Sequence, residues 1–545
     1  MPDEWIEKGL VAEAAKQPFM RDMVCNGPYF SKILLNAIYF GASKFSPRRE
    51  VRRDPDDVRT AGWAFRERVR KLLGDALDKS DITTIQALLV MTNSLFALGD
   101  ERSAAWLYAG LAFRMIIDLG MHVDAPGLGI TRKFSDEDLE IRRRVFWGAF
   151  VVDKIQSLYQ GRPASLKESD TLVPIKFLDT FEEFENWAPF AYTAQNNAYP
   201  GSPAYSVSTF THLCRLSVVM SDILSCIYTE RAFDRSPQEL STMLENLSSK
   251  LATWKSSLPT HLVLDPHSDF KTPPPHVLSL HAMFHVLTIL LHRPFVADGH
   301  LYNTSRSISV NSFMTCASAA NSIVDVLRTY DKVFSVRHAP YLISYATYVA
   351  ATIHVRIAAK RSPESGARER LETCLSVFRE NQETNWAVRR AKAIVEGLMT
   401  RLGVKVTQNE SQIAGNSASS TNETTLELES RQRTGIIRIE ATGQSTCHSS
   451  LPGNESPSMG WSDIDGIIQS FVRGQDFHAS SMEMDSEPYN QALPSSILGS
   501  QQTIGDSMGG INNHTLGLPG GDGGSASVDD LLFGFNGSAL DSFFY

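Results

Sequence analysis

The sequence has no CxxC pair. Its six cysteines stand at 25, 214, 226, 316, 374 and 447, with spacings too wide and uneven for a zinc ribbon or a disulfide framework. The N-terminus, MPDEWIEKGL, lacks the basic start and apolar core of a leader. No uninterrupted apolar run reaches the about 18 residues of a membrane span, so a soluble intracellular protein is expected, with no membrane partner. No alternating strand pattern of any length is present. GxSxG, GxxxxGK[ST], GxGxxG after a strand, a kinase-type set and a recognisable catalytic cysteine are all missing. Nothing positive then speaks for catalysis, and an all-α enzyme ranks last among the readings.

Histidines are the one cluster with metal-ligand spacing. His281 and His285 are four apart on a predicted helix, with His276 and His292 nearby, but the glutamate of HExxH is absent. Core or surface histidines are the expected reading; a metal site is the alternative.

Charge divides the chain. Residues 404–545 hold 5 Lys and Arg against 17 Asp and Glu, a net of −12, and 18 of the 35 glycines. The whole chain carries −9, so residues 1–403 carry about +3. A segment this acidic, rich in Gly, Ser, Asn and Thr and poor in periodic apolar runs, cannot bury enough surface to offset chain entropy. The expected organisation is an all-α domain over 1–403, a large multi-helix array, followed by a disordered acidic Gly/Ser-rich tail over 404–545.

Helix signals fill the first part. Four helices are expected in 1–100, the second ending near Gly41, the third opening at Asp54-Pro55-Asp56-Asp57 and the fourth running from Asp81 to Gly99. Later helices are expected at about Ala204–Arg231, from the capping box Ser236-Pro237-Gln238-Glu239 to beyond Trp254, at His276–Pro294, Ser309–Tyr330 and Ala339–Lys360, and as a pair from Ser362 to near Gly403. Asp179–Pro203 reads as a long loop. Between Lys44 and Lys71 lie ten basic and five acidic residues; the cluster Arg48, Arg49, Arg52, Arg53 reads first as a solvated face, and alternatively as a nuclear import signal or a phosphate contact.

The rest is organised around residues 101–175. A helix from about Ser103 to Leu119 is apolar almost all round, which predicts burial, and its internal charges Arg114 and Asp118 are four apart and expected to pair. A second helix starts at Ser135, capped with Asp138, and stops at Gly161. Asp138 with Arg142 and Glu140 with Arg144 have pairing spacing, while Trp147, Phe150 and their neighbours place this helix in the core.

Three segments in this region, AWLYAGLAFRMIIDLGMHVD (105–124), RRRVFWGAFVVDK (142–154) and GRPASLKESD (161–170) followed by Pro174, resemble the middle homology region of fungal zinc-cluster transcription factors, as does the later LLHRPF (290–295). Nitrate-assimilation activators are the nearest type. The resemblance rests on Gly120, His122, Trp147, Asp153, Gly161, Arg162, Pro163, Asp170, His292, Arg293 and Pro294. It implies a packing role for His292, and a six-cysteine zinc cluster ahead of the domain, usually with a coiled coil. None of the cysteines here can build that cluster, so the sequence departs from the family at that point, and zinc is implied only for the missing part; no cofactor is expected in this chain.

Arg114, Asp118, Arg142, Arg143, Arg144 and Asp153 stand within apolar helices, and buried charges need partners. A structural ion-pair network is the first reading, a pocket for an anionic small-molecule effector the alternative. In the tail, 461–477 and 528–545 alternate acids with bulky apolar residues: Trp461 and Phe471 in the first, Asp529, Leu532, Phe533, Phe535, Phe543 and Phe544 in the second. That composition is the pattern of activation elements that fold onto a coactivator groove. The expected function is nuclear regulation of RNA polymerase II transcription of metabolic or biosynthetic genes, with coactivator or transcription machinery as partner, homodimerisation as a further expectation, and DNA reached only through the missing domain or a partner. The rival reading is a helical protein-interaction scaffold, or a partner-dependent regulator without DNA binding of its own.

Overall fold

In a computed structural model the described residues are 21–405, apart from 24, 26, 100, 124–133, 180–181, 190–198, 230–233, 265–271, 297–300, 302–303 and 362–365. Beyond Val404 and Lys405 the tail, with its expected disorder and the segments 461–477 and 528–545, lies outside the described residues.

Twelve α-helices of at least 12 residues make up the described fold. In chain order they are α1 Lys32–Ser43, α2 Trp63–Ala76, α3 Ile82–Leu98, α4 Arg102–Asp118, α5 Asp136–Gln160, α6 Ser206–Ile227, α7 Pro237–Ser256, α8 Pro275–His292, α9 Arg306–Val333, α10 Tyr341–Lys360, α11 Gly366–Asn381 and α12 Val388–Arg401. The only strands among the described residues are β1 Asn186–Trp187 and β2 Ser202–Pro203, paired antiparallel with Trp187 opposite Ser202, inside the segment expected to be a loop.

Local signals set most helix ends. Ser135 and Asp138 close a reciprocal capping box at the start of α5, and Ser236 and Glu239 do the same for α7, whose first residue is a proline. The Asp81 carboxylate accepts from the amides of Thr83 and Thr84 at the start of α3. Gly161, with φ 62°, takes the left-handed conformation that ends α5.

Helix α2 departs from expectation. It starts at Trp63: the Asp54 carboxylate, expected to cap a helix opening with Pro55, accepts from the Asp56 amide at 3.0 Å, and Asp57, expected as the acid at the third helical position, accepts from the Arg59 amide at 2.9 Å and from the Arg59 guanidinium. Thr60 Oγ1 donates to the Asp57 carbonyl at 2.7 Å, closing a turn in competition with the helix. The basic cluster lies in this turn region; Arg52 Nη1 donates to the Pro55 carbonyl at 2.9 Å, and Arg53 stands over the Trp63 ring.

Consecutive helices pack pairwise, α3 against α1 and α4, α8 against α9, α10 against α11, and one apolar cluster runs through all of them. Helices α6, α8 with its 3-10 extension, and α10 are long and apolar enough to cross a membrane, although polar residues interrupt each. In the fold 50%, 72% and 94% of their most apolar windows are buried against other helices.

The last helices close back on the first. The Ala387 amide donates to the Ala97 carbonyl at 3.1 Å, and Lys44 Nζ reaches Asn385 Oδ1 at 3.2 Å. Asn381 and Asn385, both buried, donate to the carbonyls of Val336 and Ala339 at 2.7–3.1 Å, tying the α9–α10 turn to the end of α11. Sequence reading missed this network, since an asparagine pair at i, i+4 carries no signature of the carbonyls it will meet.

Candidate functional site

The three central motif segments fold into one junction around α5. From Arg144 to Gln160 this helix is buried on every side, Trp147 being 2% and Phe150 0% exposed. An aspartate and a lysine sit at its middle, both with fully buried side chains and 2.8 Å apart.

Asp153 does more than pair with Lys154. Its carboxylate accepts from the amides of Ser165 at 3.0 Å and Leu166 at 2.9 Å, while Lys154 Nζ donates to the Leu166 carbonyl and stands 4.2 Å from the Phe150 ring centre. The 161–170 loop is thereby clamped at three backbone atoms by two side chains. Burial depresses the Lys154 pKa, and the adjacent carboxylate opposes the shift. Lys154 was not among the charged candidates, although a lysine beside Asp153 in an apolar helix was a readable sign.

Arg144 makes a second clamp. Its Nε meets Glu140 at 2.7 Å, its Nη1 meets Glu182 at 2.6 Å, and its Nη2 donates to the Leu178 carbonyl at 2.5 Å. Glu140 also accepts from the Leu178 amide at 3.0 Å. Burial lowers the Arg144 pKa, but the charge of Glu182 and bonds to both glutamates outweigh it and leave the pKa raised.

A third contact joins the end of α4 to the loop. The His122 carbonyl accepts from Thr171 Oγ1 at 2.9 Å and from the Leu172 amide at 3.1 Å, and Arg142 Nη2 donates to the Leu119 carbonyl at 2.7 Å. Gly120, with φ 63°, turns the chain out of α4 toward this contact. Asp170 lies in a short 3-10 turn, where Ser169 Oγ donates to its carboxylate at 2.8 Å, and Pro163 is exposed. Arg162 lies over the Trp106 ring of α4 at 5.0 Å.

Two expectations fail on α4. Its outer face is solvent-exposed, Leu107 at 64% and Ile117 at 43%, because α4 packs through its other face, Ala105, Ala109, Ala112, Phe113, Met115 and Ile116. Arg114 and Asp118 lie on that outer face with no ion pair between them, since water solvates both and the order Arg then Asp is the weaker one along a helix. Arg143 is partly buried.

The histidines of α8 turn to packing and backbone contacts. His281 Nε2 donates to the buried Leu262 carbonyl at 2.7 Å, and His276 Nε2 to the Ala204 carbonyl at 2.5 Å. His292 lies between Ser312 Oγ at 3.3 Å and Ser248 Oγ at 3.5 Å, while Arg293, Pro294 and Phe295 are buried beyond it. Among the described residues no three His, Cys, Asp or Glu are grouped to hold a metal.

Two adjoining grooves run between α6 and α7, sharing Asn246 and Lys250. One is lined by Asp222, Cys226 and Met243, the other by Arg215, Val219 and Trp254. None of the six charged candidates lines either groove, so the effector-pocket alternative finds no support there.

Fold and junction together define an all-α module whose buried charges bind its own loops. Residues 25–256 match the family described as fungal specific transcription factor domain. Over those residues the chain is similar to fungal transcription factors that carry this domain. It is 29% identical over 351 residues to the nitrogen assimilation transcription factor nirA of Emericella nidulans, covering 63% of this chain and 38% of that one. It is 28% identical over 400 residues to the nitrogen assimilation transcription factor nit-4 of Neurospora crassa, covering 71% and 35%. An uncharacterized transcriptional regulatory protein of Schizosaccharomyces pombe, C1683.13c, is 32% identical over 362 residues, covering 64% and 55%. The chain thus spans between about a third and just over half of the length of these relatives. No solved structure matches the chain.

Proposed function

We propose that this chain is a nuclear regulator of RNA polymerase II transcription, with residues 1–403 as its regulatory domain and the acidic tail as its contact with coactivators. The observation that carries the reading is the transcription factor domain over 25–256, together with relatives named as transcription factors. The names of two relatives support nitrogen assimilation as a candidate pathway.

DNA contact is assigned to a zinc-cluster domain outside these 545 residues or to a partner protein. Residues 1–403 carry only about +3, too little for tight sequence-independent binding to phosphate. Homodimerisation and a small-molecule effector belong to the same reading.

The test is a reporter. Fused to a heterologous DNA-binding domain, the full chain should activate transcription, and Leu532→Ala with Phe533→Ala and Phe535→Ala should remove most of the contribution of 528–545, whereas Asp529→Asn should weaken it only slightly. A silent reporter, or one indifferent to loss of the aromatics, would refute the activation role.

A further inference from the structure

Arg162 belongs to a motif segment, yet the two clamps that hold that segment leave it out. It lies over Trp106, and Trp106 follows Arg102 by four residues on α4, so the two guanidiniums share one face of that helix. The first turn of α12 abuts the same place. Its Ala387 amide donates to the Ala97 carbonyl at 3.1 Å, and a Cβ built on Gly99 would come within 2.9 Å of the Ala387 Cα. Arg390 stands three residues beyond Ala387, just as Arg102 stands three beyond Gly99.

We propose that Arg102, Arg162 and Arg390 form a binding site for a small, multiply charged oxyanion of the phosphate class, at the seam where the first turns of α4 and α12 meet the loop after Gly161.

Three chain segments bring three positive charges together there. Neither Arg162 nor Arg390 has an ion-pair partner among the described residues, and the nearby Glu101 is already taken by Arg66 at 2.7 Å. Both helix starts lack a side-chain cap, so their first amides add positive potential on the same side. Burial, and then the charges of Arg390 and Arg162, hold the Arg102 pKa below its ordinary value. Arg389 turns away to the Trp386 ring at 3.3 Å and is not counted in the site. A planar fork stacked on an indole is pre-organised for two-point contact with phosphate oxygens, and an anion with two or more charges relieves the repulsion among all three arginines. The three arginines lie partly or fully exposed, so a small ion reaches them without unfolding.

Thermal unfolding of the full chain tests this, with pyrophosphate, inorganic phosphate or chloride added at matched ionic strength. Pyrophosphate should raise the midpoint by about 2–4 °C at saturation, phosphate by less, and chloride not at all. Arg390→Gln and Arg162→Gln should each weaken the apparent pyrophosphate affinity by about tenfold or more. Arg390→Gln should also raise the midpoint in chloride alone, since it removes repulsion, a gain that loss of a packing role would not produce. Arg162→Lys, which keeps the charge and loses the fork, should retain part of the shift, and Arg114→Gln on the outer face of α4 should retain all of it. A shift of equal size in chloride would overturn the proposal, as would a full pyrophosphate shift surviving in both Gln variants. Neither result touches the reporter experiment, so this site and the transcriptional role fail separately.

Discussion

Helix α5 buries an aspartate, a lysine and an arginine, whereas α6, α8 and α10 bury histidines. The first set is cross-bonded: Asp153 with Lys154 and two loop amides, Arg144 with Glu140, Glu182 and a carbonyl. The second set is held neutral. Burial pushes His212 down to about 4, and His292 and His354 likewise to about 4. Burial, with His281 and Lys255 nearby, pushes His285 to about 3. The difference follows from what each region must hold. Around α5 a long loop has to be fixed, and its free amides and carbonyls supply enough partners to compensate charge. Between α6 and α10 helices meet helices whose backbone groups are mostly bonded, so neutral polar groups fit there most cheaply, and the buried Arg356 of α10 donates back to the Thr352 carbonyl of its own helix at 3.0 Å.

The comparison breaks most sharply at Asp153. Asp153→Ala removes the partner of a buried lysine and frees the amides of Ser165 and Leu166, the second of them buried, and should cost roughly 3–5 kcal/mol in chemical denaturation. Lys154→Met should cost clearly less, because the carboxylate keeps its amides; equal losses would mean that the ion pair, not the loop clamp, holds the junction. Trp147→Ala or Phe150→Ala should cost a comparable roughly 3–5 kcal/mol by emptying an aromatic site around the pair. Unfolding midpoints within a degree of the parent would remove α5 from the core.

Acid separates the two regions. A buried histidine with a folded pKa near 3 or 4 and an ordinary value near 6.5 binds its proton mainly in the unfolded chain, so the stability it allows is present above about 6.5 and is lost as pH falls toward 4. Unfolding free energy should therefore decline from pH 6.5 to 4, and hydrogen exchange should show α8 and α10 opening before α5. His285→Phe together with His292→Gln should flatten the slope; an unchanged slope would assign the acid sensitivity to the carboxylates of the junction. The smallest effect is expected on the outer face of α4, where Arg114→Ala and Asp118→Ala should each change stability by less than about 0.5 kcal/mol. A larger loss would show that this face is covered in solution.

Much of the fold was legible. Capping boxes at Ser135 and Ser236, the aspartate at 81, the terminating glycines at 99 and 161 and the apolar stripe of α7 are relations among residues a few positions apart, and a helix end is decided at that range. So is the Glu140–Arg144 pair, one turn apart. The start of α2 differs because Asp54, read as a helix cap, and Asp57, read as an acid in the first turn, close local turns instead, and propensity does not rank the two uses.

What the sequence determined by itself is the all-α array, the order of its helices and most of their ends, since each depends on backbone groups satisfied within a turn or two of the chain. Tertiary structure alone decided which charges are buried and what they hold. Asp153 and Arg114 both stand in apolar helices, yet one faces a returning loop with free amides and the other faces water. The gathering of Arg102, Arg162 and Arg390 depends likewise on α12 folding back onto the turn before α4, nearly 290 residues earlier in the chain. Solvation and pairing act through space, and helical periodicity carries no information about which distant segment will arrive.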